Sequence, residues 1–191
     1  LGDVYKRQAH RRFSLGGKMH DTPAGVAHFL EHKMFDMPDG DNALSVLSAN
    51  GAQPNAFTSS GMTAYFFDCT SGFEENLRML LKFVSTPYFT QETVDKEQGI
   101  IGQEICMVED NPGYVVYNRL MRMLYEFNPI RDQVAGSIES IAEITAETLY
   151  NCHKAFYAPS NMTLCVAGDC DPEEVFAIAD LSLIHISEPT R

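Results

Sequence analysis

Two histidines and a glutamate fall within five consecutive residues, His28-Phe29-Leu30-Glu31-His32. On a helix, side chains four apart stack on one face, so both imidazoles can reach the same metal ion. Zinc suits such a pair. It accepts imidazole and carboxylate ligands and lowers the pKa of its bound water to near neutral. Glu31, one step before the second histidine, can lean over the same place and take the water proton as a general base. The order H-x-x-E-H is the inverse of the commoner H-E-x-x-H of zinc peptidases. Ala24, Val26, Ala27, Phe29 and Leu30 would equally serve an ordinary core helix. Such a helix does not need three polar groups in one turn, and burying them without a shared partner costs several kcal/mol.

A catalytic zinc takes three protein ligands and keeps a fourth position for water. The spacing of Val94, Ile100, Ile101 and Ile105 predicts a helix over 90–110, started near Thr90 and Gln91. Glu97 and Glu104 are seven apart and so share a face, two turns from each other. Glu104 is the candidate third ligand. Glu97 is the candidate to hold a ligand histidine by its free N–H. The alternative is that both are ordinary solvated carboxylates.

Segments 24–34 (AGVAHFLEHKM) and 97–105 (EQGIIGQEI) together resemble the pitrilysin/insulinase family of zinc metallopeptidases. Segment 50–59 (NGAQPNAFTS), Thr63-Ala64-Tyr65, Asp110-Asn111-Pro112 and 157–168 (YAPSNMTLCVAG) are similar to it too. The resemblance runs over nearly all of 13–176, in the family's order, and is nearest to a bacterial subgroup. It implies one Zn2+ ion held by His28, His32 and Glu104, with Glu31 catalytic and Glu97 orienting a ligand histidine. It also implies an antiparallel sheet covered by helices and a second, homologous half that closes over the site. This chain would be most of the first half. The strand through Asn55, Ala56 and Phe57 would lie beside the zinc, with Asn55 and Ala56 facing substrate. From the residues alone, Asn55-Ala56-Phe57-Thr58 is either an edge strand that adds an extended peptide to the sheet or an ordinary covered hairpin.

The ends read differently from the middle. Residues 181–188 (LSLIHISE) can be encoded by CTGTCTCTTATACACATCTCCGAG. The reverse complement of that DNA translates to LGDVYKRQ, which is residues 1–8. Two ends of a natural protein have no reason to be antisense copies of one another. Residues 1–8 and 181–191 are therefore expected to be translated sequencing adapter, with the peptidase domain at 9–180. On that reading His185 is no ligand candidate, and the missing N-terminus says nothing about a leader.

Composition narrows the partners. Acidic residues number 26 against 14 basic, a net charge of −12, which argues against nucleic acid or an anionic membrane surface. No apolar run is long enough to span a bilayer. Five cysteines without a C-x-x-C fit reduced, mostly buried thiols, and so a cytoplasmic protein; the resemblance implies a bacterial one. Asp36, Asp39 and Asp41 lack the spacing of a calcium loop. His20 and His153 are expected to face solvent or make hydrogen bonds rather than bind metal.

The elements that must position the site follow from periodicity. A partial strand at 11–17 precedes a turn-rich 16–23. Helices are expected at 24–35, 42–49, 73–84, 115–125, 137–144, 145–156 and from 171, besides the one at 90–110. Strands are expected at 53–59 and 62–70, joined by Ser60-Gly61, and at 161–168. Leu120, Met121, Met123 and Leu124 form a stripe of the kind that usually fills a core. The order is not a strict β-α-β alternation and predicts an α+β fold with a mainly antiparallel sheet. The expected activity is that of a zinc endopeptidase on unstructured peptides. The rivals are a processing peptidase paired with a non-catalytic paralogue and a non-enzymatic subunit of such a complex.

Overall fold

The structure is a computed structural model that describes residues 11–187, with side chains as far as Asp180. The elements run β1 (Arg12–Leu15), β2 (Lys18–Asp21), α1 (Val26–Lys33), α2 (Ala43–Ala49), β3 (Ala52–Thr58), β4 (Thr63–Cys69), α3 (Phe73–Ser85), α4 (Gln91–Glu109), α5 (Pro112–Leu124), α6 (Ile138–Ala142), α7 (Ala146–Phe156) and α8 (Pro172–Ser187). The fold is α+β, with small antiparallel sheets among many helices. The chain divides into two compact units. One holds 11–33, Phe57–Ala64 and Phe89–Phe156; the other holds Met34–Ala56, Tyr65–Tyr88 and 157–187.

In the first unit β1 and β2 form a hairpin with Leu15 opposite Lys18. The sequence reading expected only turns at 16–23. Gly16 and Gly17 both take positive φ, 59° and 79°, as a tight two-residue hairpin turn requires. α1 is pinned at its start by a close backbone crossing. Gly25 has φ 89°, and a Cβ there would collide with the Ala135 carbonyl; a Cβ at Gly136 would collide with the Ala24 carbonyl. Ser140 Oγ also donates to the Ala24 carbonyl at 2.8 Å. α4 starts at Thr90, whose hydroxyl accepts from the Thr93 N–H at 3.2 Å. It buries Val94, Ile101 and Ile105, and those positions share a stripe with Glu97 and Glu104. Gln98 extends to the Ile144 carbonyl at 3.2 Å and ties α4 to the loop before α7.

Asp110 closes α4 and Asn111 starts α5: the Asn111 side chain accepts from the Gly113 and Tyr114 N–H groups, with Pro112 at the first helical position. The expectation that the Leu120-to-Leu124 stripe fills a core is not met. No residue of α5 is buried, and Leu120, Met123 and Leu124 are exposed.

In the second unit Leu77 of α3 packs with Val175 and Ile178 of α8. Asn76, fully buried, donates to the Gly72 carbonyl at 2.8 Å. Phe35, Tyr65 and Phe83 form a ring cluster with centroids 5.6–5.7 Å apart. The strand expected at 161–168 does not form. Met162 is extended at φ −119°, ψ 151°, but no strand pairs with this segment among the described residues, and Met162, Leu164 and Val166 are exposed. α8 continues to Ser187, through residues assigned above to adapter.

β3 and β4 make the second two-stranded sheet, its turn closed by Ser59 N–H to the Met62 carbonyl at 2.8 Å. Among the described residues no helix is long and apolar enough to cross a membrane. Of the five cysteines only Cys152 is buried, against the expectation that most would be.

Candidate metal centre

α1 and α4 bring the candidate residues together within the first unit. His28, His32 and Glu104 each offer one ligand atom, all within 4.8 Å of one another. His28 Nε2 lies 3.5 Å from Glu104 Oε1, and His32 Nε2 lies 3.6 Å from Glu104 Oε2. Those gaps are long for hydrogen bonds. They suit donors spread around one ion at bond lengths of about 2.1 Å. The two imidazoles meet edge to face with centroids 4.6 Å apart.

The second nitrogen of each ring shows which one is left for a ligand role. His32 Nδ1 contacts Glu97 Oε1 at 3.0 Å. A carboxylate accepts only, so the ring proton sits on Nδ1 and donates to Glu97, and the Nε2 lone pair faces Glu104. Glu97 is anchored on its other side as well, with Oε2 3.9 Å from Lys33 Nζ. His28 Nδ1 is buried and meets no hydrogen-bond partner among the described residues. Its Nε2 is the nitrogen of that ring that approaches Glu104.

Protonation follows from these surroundings. Burial, with His32 nearby, lowers the His28 pKa and so favours the neutral imidazole that a metal needs. The Glu97 hydrogen bond raises His32 despite burial, so a metal must compete there with a proton. For Glu97, burial works against ionisation, but the His32 hydrogen bond and the charges of His32 and Lys33 prevail and hold the carboxyl below its usual range. Burial pushes Glu31 up, with the Thr58 hydrogen bond pulling the other way. A carboxylate shifted toward neutral pH is a better general base than an ordinary one. Glu31 is 7% exposed, and its Oε2 accepts from the Thr58 hydroxyl. Thr58 in turn meets the Thr63 hydroxyl at 3.0 Å.

Two imidazoles and one carboxylate are the donor set of a catalytic zinc with one open position, so the residues present fit that ion. Among the described residues no other group of three His, Cys, Asp or Glu side chains converges in this way. His20 stacks on Phe13 at 5.5 Å, and His153 is buried on α7.

The expected substrate strand lies on β3. Asn55 and Phe57 are exposed and Ala56 and Thr58 half-buried, the alternation of a strand with two unlike faces. The Asn55 side chain accepts from the Ala56 N–H at 2.8 Å. Asn55 and Ala56 belong to the second unit and Phe57 to the first. Two residues at the centre were not singled out from sequence. Lys33 is a lysine inside an apolar helix, directly after His32, and that was signal enough. Thr58 sits in the strand already under scrutiny, but nothing in its spacing ties it to Glu31.

A family profile described as insulinase (peptidase family M16) matches residues 15–138, and one described as the peptidase M16 inactive domain matches 143–187. The chain is 49% identical over 160 residues to the Bacillus subtilis zinc protease YmfH, covering 84% of this chain and 37% of that one. A probable mitochondrial-processing peptidase subunit beta of Arabidopsis thaliana is 28% identical over 159 residues, covering 81% of this chain and 30% of that one. The crystal structure of an M16-like peptidase from Alicyclobacillus acidocaldarius superposes with a TM-score of 0.88 at 39% identity, over 98% of this chain and 44% of that chain. This chain thus spans well under half the length of these relatives. With the profile, the relatives and the fold in agreement, the chain belongs to the insulinase family of peptidases, M16.

Proposed function

We propose that this chain carries the chemical centre of a zinc-dependent endopeptidase acting on unstructured peptides. The observation that carries the reading is the convergence of His28, His32 and Glu104 within 4.8 Å, with Glu31 beside them on the same helix turn. A zinc ion held by those three would polarise the scissile carbonyl and make water a stronger acid. Glu31 takes the proton of the attacking water and later hands it to the leaving amine. Glu97 keeps His32 in the tautomer that leaves Nε2 free. Asn55, Ala56 and Phe57 on β3 present backbone to an extended peptide, which gives affinity with little sequence preference.

The remainder of the longer protein, or a homologous subunit, supplies the opposite wall of the site, so that only a flexible chain enters. The full-length protein should therefore cleave unstructured peptides and spare folded ones, and 9–180 alone should turn over slowly. A quenched-fluorescent peptide panel on both, with a chelator control, tests this. Chelator-insensitive cleavage by the full-length protein would defeat the metal reading, and equal rates for both would defeat the enclosure. The second reading, a processing peptidase paired with a non-catalytic paralogue, is favoured by the mitochondrial-processing relative and shares the same site. Cleavage confined to one defined precursor would select it. The evolved chain is taken as 9–180 within a cytoplasmic bacterial protein. Genomic sequence reading unchanged through 1–8 and 181–191 would overturn those bounds.

A further inference from the structure

We propose that Thr58, backed by Thr63, is a positioning residue for Glu31: a directed pair of hydroxyls that fixes one carboxylate oxygen and leaves the other for the proton in transit. The proposal rests on the peptidase reading above. Thr58 is the last residue of β3, and Thr63 is the first of β4. Between them Ser59 N–H donates to the Met62 carbonyl at 2.8 Å, which closes the hairpin and sets the two threonines opposite each other. Their hydroxyl oxygens are 3.0 Å apart, and the Thr58 hydroxyl reaches Glu31 Oε2.

The donor order follows from valence. An ionised carboxylate only accepts, so Thr58 spends its single proton on Glu31. The Thr58 oxygen is then an acceptor, and the Thr63 hydroxyl is its donor. The chain therefore runs Thr63 to Thr58 to Glu31 Oε2. Glutamate has several rotatable bonds, and a displacement of about 1 Å at a reacting group can reduce rate on the order of a hundredfold. α1 fixes only the Glu31 backbone. The hairpin fixes its carboxylate from outside the helix, and both threonines are half-buried, where competition from bulk water is reduced. Because Oε2 is occupied, Oε1 is the oxygen left to take the proton.

A threonine pair that only stiffened the hairpin would behave differently, and a double-mutant cycle separates the two cases. In the full-length protein Thr58→Val should lower kcat about 10- to 100-fold, with KM and zinc content within about twofold of the parent. Thr58→Ser should restore most of kcat, and Thr63→Val should give a smaller loss of the same kind. In the Glu31→Gln background Thr58→Val should cost nothing further in rate. A second readout does not use activity. In the 191-residue chain the thermal midpoint shift caused by Thr58→Val should shrink in the Glu31→Ala background. The proposal is overturned by an equal midpoint shift in both backgrounds, by failure of serine to rescue, or by zinc loss in Thr58→Val. If the parent cleaves nothing, the peptidase reading fails, and the midpoint cycle still decides whether Thr58 holds Glu31.

Discussion

α1 and α5 lie in the same compact unit and invert the usual rule of burial in opposite directions. α1 buries His28, Glu31 and Lys33 beside Val26, Phe29 and Leu30. α5 buries nothing, although Val116, Tyr117, Leu120, Met123 and Leu124 lie along it and are exposed. Two of the buried polar groups of α1 are met by partners, Glu31 by Thr58 and Lys33 by Glu97, whereas the third, His28, turns its Nε2 toward Glu104 and keeps a buried Nδ1 without a hydrogen-bond partner among the described residues. The apolar groups of α5 stay in water because no described element covers them. Burial is decided by what a fold sets opposite a side chain. Hydropathy alone reports only what a side chain would prefer.

The largest effect separating the two helices should be on stability. Phe29→Ala removes a fully buried ring and should cost about 3–5 kcal/mol. Leu120→Ser or Met123→Ser on α5 should change stability by less than about 0.5 kcal/mol. Denaturant titration of the three variants checks this, and comparable losses on both helices would break the comparison.

A smaller effect tests why charge is tolerated beside α1. Glu97→Gln should weaken zinc binding about 10- to 100-fold, because the ordinary acceptor for the His32 Nδ1 proton is replaced by a weaker one. Competition against a chelator of known affinity measures it. An unchanged affinity would mean that the His32–Glu97 contact does not orient the ligand.

The smallest effect uses the thiols. Burial pushes the Cys152 thiol up to about 12, whereas Cys106 and Cys165 are exposed. At mildly alkaline pH a thiol reagent should modify Cys106 and Cys165 quickly and Cys152 only on unfolding. Peptide mapping of the labelled chain reads this out. Early labelling of Cys152 would show that the interior around α7 is open.

These contrasts also show what the sequence could reveal. Local rules were enough for α1 and α4. Four- and seven-residue spacings set His28 and His32 on one face of α1 and Glu97 and Glu104 on one face of α4, the faces that meet in the structure, and the Thr90 cap began α4 where the pattern said it should. Three features lay beyond local rules. The Leu120-to-Leu124 stripe read as core because periodicity identifies a face and says nothing about its cover. The 161–168 segment read as a strand because its residues favour one, but a strand exists only with a partner. The Thr58–Glu31 contact joins residues 27 apart in sequence, and no local pattern announces such a pair. The β1–β2 hairpin was legible and overlooked, since paired glycines at 16 and 17 between polar-apolar alternations are a turn signal.

The central claim is that three side chains from α1 and α4 hold one metal ion while a fourth works on water beside it. Elemental analysis tests this most directly, on chain exposed to zinc at neutral pH and then freed of excess metal. The account predicts about one zinc per chain for the parent and for Glu31→Gln, and a clear loss in His28→Ala and Glu104→Gln. A parent chain without bound zinc, or an equal loss in all three variants, would contradict it.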